Sequence, residues 1–122
     1  MGVSIDSVYS LFRLFSGADS ETNKYFILLA KKETEKILLP DVQEDERINF
    51  LCAAIANYRY QQAKAASADS EYTYIGEMNS DKKNNILVFA ENMLRDYYQL
   101  CSDIIKPQNF IFMGFSSVHE LE

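Results

Sequence analysis

The only histidine, His119, lies three residues from the end of a 122-residue chain, with no Asp, Ser or Cys neighbour at the spacing of a nucleophilic site. An imidazole that moves a proton needs such neighbours to fix its tautomer and its target, so His119 reads as a surface residue. The two cysteines, Cys52 and Cys101, are far apart and form no Cys-x-x-Cys motif. They read as reduced, buried thiols acting as small apolar side chains, which fits a reducing compartment. A disulfide between them has no special support. A zinc site would have to rest on carboxylates and these two distant thiols. Glu44, Asp45 and Glu46 form the densest acidic cluster, but with Asp41 they lack the alternating ligands of a calcium loop. They read instead as the acidic first turn of a helix, placed to complement its dipole. Gly2, Gly17, Gly76 and Gly114 stand singly, and none opens a phosphate-cradling loop followed by Gly-Lys-Ser/Thr. No pair of carboxylates is favoured for acid–base work. The residues therefore point away from an enzyme, and to no cofactor, no metal and no small-molecule substrate.

What remains is surface chemistry. Arg59 falls on a helical stripe with Ile48, Cys52 and Ile55, where an apolar residue is due. Either the stripe leaves the core there and Arg59 snorkels to the edge, or Arg59 pairs with a carboxylate of a neighbouring subunit. Aromatic residues, eight Phe and eight Tyr, make up 13% of the chain with no Trp. Most fit the core faces of helices. Six do not: Tyr60, on the polar side of its helix; Tyr72 and Tyr74 in a linker; and Phe110, Phe112 and Phe115 in the tail. With Arg59 and Met78 they form the candidate contacts to another subunit or partner. Apolar residues alternating in two short extended stretches suit strands that pair with each other or with another chain. The alternative is that both stretches fold back on their own bundle.

Charge and composition narrow the class. Hydrophobic residues are 48% and charged residues 25%, the balance of a globular domain. Twelve basic against eighteen acidic residues leave a net charge of −6, unsuited to gripping nucleic-acid phosphates over a broad face. No apolar run approaches the ~20 residues needed to span a bilayer, and no signal-peptide core follows Met1. The length fits one domain over 1–122. Leu121 and Glu122 match the scar of a common cloning site and are read as non-native.

Four helices are expected to position these groups. Ile5, Val8, Tyr9, Phe12 and Phe15 share one helical face, predicting a helix near 4–15 with Ser4 as N-cap and Gly17 as its stop. A second helix, near 19–38, carries a nearly continuous apolar run at 25–30, as if covered on more than one side, and ends before Pro40. A third, near 42–66, opens with Asp41 and Glu44 spaced as a capping box. Its run Ala53, Ala54, Ile55, Ala56 allows close helix approach, so it should be central. The fourth, near 82–105, carries the seam Ile86, Ala90, Met93, Tyr97, Leu100 and Ile104, widened by Phe89, Leu94 and Cys101. A polar excursion at 67–81 and an aromatic tail at 109–122 lie outside this pattern, with 71–76 and 109–115 expected to form a small extended or β element. The fold class is thus an all-α four-helix bundle with that small element.

The order of features is similar to that of a known family. Tyr9-Ser10-Leu11-Phe12 leads to Ser16-Gly17; a helix ends near Pro40; Asp45-Glu46-Arg47-Ile48-Asn49 opens an Ala-rich helix running into Tyr58-Arg59-Tyr60; an excursion ends in Ile75-Gly76-Glu77; and the chain closes on Phe110-Ile111-Phe112. Over about residues 8–115 this resembles the small head–tail connector (head-completion, DNA-packaging) proteins of tailed bacteriophages and prophages. The resemblance implies a ring of about a dozen copies between portal and tail proteins, with DNA only as passing cargo. It implies a location in the bacterial cytoplasm and then the virion, and no membrane. Net negative charge suits a channel through which DNA must slide. The alternative reading is a soluble intracellular helical adaptor that binds one protein partner through the fourth segment's seam or the tail.

Overall fold

A computed structural model describes residues 3–42, 44–69 and 77–107, with the backbone alone for residues 68, 69 and 77–84. It contains four helices: α1 (Ile5–Ser16), α2 (Lys24–Ile37), α3 (Glu46–Asp69) and α4 (Glu77–Leu100). The chain is an all-α bundle in which α1, α2 and α4 each pack on α3, and α1 also touches α2. Ala53, Ala54, Ile55, Ala56 and Asn57 are consecutive and all buried. A helix buried on every side shows no polar face, and its small residues let three neighbours approach at once. The central position expected of this helix is therefore its observed one.

The helix ends differ from the sequence expectations, each for a local reason. α1 has Ser4 at its N-cap, but the hydroxyl makes no capping bond; the Ser4 N–H instead donates to Asn49 Oδ1 at 2.8 Å, tying the start of α1 to α3. Gly17 closes α1 at φ 73°, its N–H donating to the Arg13 carbonyl at 2.8 Å, a left-handed cap that a Cβ would strain. α2 begins at Lys24, not near 19, because Asp19 holds a turn: its carboxylate accepts from the Thr22 N–H at 2.8 Å and hydroxyl at 2.6 Å. Buried Ser20 anchors that turn to α1 by donating to the Tyr9 carbonyl at 2.6 Å. α3 begins at Glu46, not near 42. Its cap is Asp45, whose Oδ1 accepts from the Arg47 N–H at 3.0 Å, so the expected box from Asp41 is not the start signal.

α3 also continues through 67–69, where a polar turn was expected. Ser67, Ala68 and Asp69 include no Gly or Pro to stop a helix. α4 likewise begins five residues earlier than the expected 82, at Glu77 directly after Gly76, so 77–81 is helical and Met78 lies on α4 rather than in an extended linker. At its other end α4 stops at Leu100. The chain passes through a tight turn, with Ile104 N–H donating to the Cys101 carbonyl at 2.9 Å, to pair with the end of α2. There Leu38 and Ile105 form an antiparallel bridge, flanked by Leu39 N–H to Ile104 O at 3.0 Å and Lys106 N–H to Ile37 O at 2.7 Å. This is the β pairing found among the described residues. The stretches expected to form a small β element, 71–76 and 109–115, lie outside them.

Candidate functional site

Arg59 emerges from α3 where the core gives way to an edge formed with α2. Its guanidinium meets Glu33 of the same chain in a two-pronged contact, Nη2 to Oε1 at 3.0 Å and Nε to Oε2 at 3.2 Å, and Nη1 donates to Gln62 Oε1 at 3.3 Å. The hydrogen bonds to Glu33 raise the Arg59 pKa, and Tyr98 nearby is pushed up by burial. The expected carboxylate thus comes from α2, in place of a neighbouring subunit. The Arg59 side chain keeps two fifths of its surface in solvent, as a snorkelling residue does.

Tyr60 is not on a polar side. Its ring packs edge-on against Phe12 of α1, centroids 5.7 Å apart, and against Phe26 of α2 at 6.1 Å. With helices around all of α3, the side that looks polar by sequence faces the α1–α2 junction. Met78 is placed on the first turn of α4. Tyr72, Tyr74, Phe110, Phe112 and Phe115 lie outside the described residues, as does His119.

A second polar cluster joins the opposite end of α3 to α4. Arg47 donates to both oxygens of Asp45, at 2.7 Å from Nη2 to Oδ2, to Asp103 Oδ1 at 2.9 Å and to the Leu100 carbonyl at 2.9 Å. The guanidinium hydrogen bonds hold both carboxyls below the usual range and raise the arginine. It neutralises one of the carbonyls left open at the C-terminus of α4, which is a structural task. Cys52 and Cys101 are both buried free thiols, pushed up by burial to about 12 and about 11, and so are poor nucleophiles.

The remaining surface features are apolar. On α2, Tyr25 is 74% exposed, with Leu28 and Leu29 also exposed on the outward side of the first two turns. The sequence reading had this run covered on more than one side; only Ile27 and Ala30 of it are buried. On α4, Ile86, Phe89 and Leu100 are exposed, Phe89 by 69%, while Ala90 and Leu94 are buried, as is Cys101 in the turn just beyond the helix. The buried face of α4 is therefore rotated from the expected seam, which leaves Ile86 and Leu100 outside. Spacings of three and eleven residues keep these three side chains on one flank of the helix. Phe15 of α1 stacks on Tyr97 beside that flank at 5.9 Å, and Phe50 of α3 meets the same ring.

The α2 face was not singled out by sequence, because apolar residues on an amphipathic pattern read first as core; Ile86, Phe89 and Leu100 belong to the fourth-segment seam that the adaptor reading offered to a partner. No family model, curated protein or solved structure matches the chain. Among the described residues, no helix is long and apolar enough to cross a membrane.

Proposed function

We propose that the chain is a structural subunit of a tailed-phage or prophage particle, a head–tail connector that assembles into a ring between portal and tail and lets DNA pass. The observation that carries this reading is the pair of exposed apolar surfaces, Tyr25, Leu28 and Leu29 on α2 and Ile86, Phe89 and Leu100 on α4. Exposed apolar groups gathered on one side of a helix mark contact surfaces. Two different surfaces on helices that, among the described residues, pack on α3 and not on each other suit a head-to-tail contact, in which unlike patches meet and closure gives a ring. The Ala-rich central helix and the helical class agree with what the resemblance implies. A net charge of −6 suits a wall along which DNA slides without being held.

The α4 flank also favours a second reading, a helical adaptor that docks one protein partner there. Light scattering and negative-stain microscopy of concentrated protein, alone and with a portal ring, separate the two. The connector reading expects closed rings of one subunit number. A monomer or dimer that stays so at high concentration and with portal present favours the adaptor.

A further inference from the structure

We propose that the α2 face of one copy docks on the α4 flank of the next with the helices parallel and in one register, Tyr25 against Phe89 and Lys32 paired with Asp96. This rests on the connector reading and supplies its subunit contact. The two faces carry the same pattern. Lys32 is exposed seven residues after Tyr25 on α2, and Asp96 is exposed seven residues after Phe89 on α4. Seven residues are two turns, about 10 Å, so on each helix the charged group stands on the same side as the aromatic one. Among the described residues, neither Lys32 nor Asp96 makes an ion pair. One face thus offers a cation and the other an anion at matching height.

Helix direction selects how the faces meet. Phe26, near the start of α2, meets Tyr60 far along α3, whereas the Leu100 carbonyl at the end of α4 meets Arg47 at the start of α3. α2 and α4 therefore both run opposite to α3, and the Leu38–Ile105 bridge joins their trailing ends at one end of the bundle. Rotation about an axis along the bundle leaves helix directions unchanged, so in a ring of that symmetry α2 of one copy meets α4 of the next in parallel. Parallel is also the direction in which both pairs come level. Leu29 then stands level with Met93, and Lys36 with Leu100, along which its aliphatic stem lies. With the helices antiparallel and Lys32 level with Asp96, Phe89 faces Leu39 and Tyr25 faces Asp103, each beyond the end of the opposing helix. A two-fold contact would set each face against itself, like charge with like.

The test reverses the charges in the full chain: Lys32→Glu, Asp96→Lys, both together, and an equal mixture of the two single variants. Thermal melts of dilute protein should coincide with the parent, since both side chains are exposed. Sedimentation across a concentration series should show each single variant associating at least about tenfold more weakly than the parent, and the doubly reversed chain returning to within about threefold of it. The mixture should recover as well, because alternating the two variants sets opposite charges at every contact. One substitution makes the net charge of −6 more negative and the other less so, so weakening by both is not an effect of overall charge. Rings that form equally well in the single variants, or a doubly reversed chain as weak as they are, overturn this contact and leave the connector reading in place. A parent that stays monomeric at millimolar concentration and beside a portal ring overturns both.

Discussion

At the scale of single residues, the groups that look chemical are mainly structural. Cys52 is enclosed by α3 and its neighbours, and burial pushes its thiol to about 12; Cys101 is held at about 11 for the same reason. Since the thiolate is the reactive form, native protein at pH 8 should take up no thiol-specific reagent over the time in which the unfolded chain labels fully at both. Rapid labelling of the native protein would show that the core around α3 opens easily. Arg47 gives a pH dependence. Its hydrogen bonds hold the Asp45 and Asp103 carboxyls below their ordinary value of 3.8. Groups with a depressed folded pKa lend stability above their unfolded pKa and lose it as pH falls through the folded one. Stability should therefore fall below about pH 3.8, and Arg47→Met should flatten that part of the curve. Equal acid slopes for the two proteins in denaturant titrations would remove the role given to this cluster.

At the scale of elements, the four helices and the central place of α3 were legible in the sequence, because helical periodicity and a run of small residues are local signals. Helix ends were less so. Asp45 rather than Asp41 caps α3, and several acidic residues in a row offer the same signal at more than one position. The rotation of α4 was hidden for a related reason: Ile86 and Leu100 extend a regular seam, yet only the packed partner decides which edge of a wide apolar stripe is buried. Tyr60 was misplaced because a helix enclosed by three others has no polar side. The assignment of Tyr60 to the interior is measurable. Tyr60→Ala removes two edge-on ring contacts, each worth roughly 0.5–1.5 kcal/mol, so the monomer should lose about 1–3 kcal/mol, against ~2–5 kcal/mol for Leu51→Ala in the fully buried centre of α3. Arg59→Met should cost less than about 1 kcal/mol, since its partner Glu33 sits at a half-exposed edge. Urea melts should show the largest loss in Leu51→Ala, a smaller one in Tyr60→Ala and the smallest in Arg59→Met. A Tyr60→Ala protein as stable as the parent would return this residue to the candidate contact surface.

At the scale of the molecule, function rests on which surface stays open once the bundle is complete. A core can bury only one stripe of each outer helix, and α4 spends its stripe on α3 through Ala90 and Leu94, continued by Cys101 in the turn beyond it. Ile86, Phe89 and Leu100 contribute little to the isolated subunit, so their side chains are free to serve a contact between subunits. That difference separates assembly from stability in one substitution. Burying a Phe side chain at an interface is worth roughly 1.5–3 kcal/mol. Phe89→Asp loses that and forces a carboxylate against the apolar side of the neighbour, so association should weaken by at least tenfold. In a ring the loss recurs at every contact, so closed assemblies should vanish over a narrow concentration range. The melting temperature of the dilute monomer should hardly move, because Phe89 is 69% exposed there. Sedimentation of parent and variant across a concentration series, with thermal melts of each, reads both quantities. Unchanged assembly in Phe89→Asp would remove the α4 flank from the contact, and a large drop in monomer melting temperature would place Phe89 in the core.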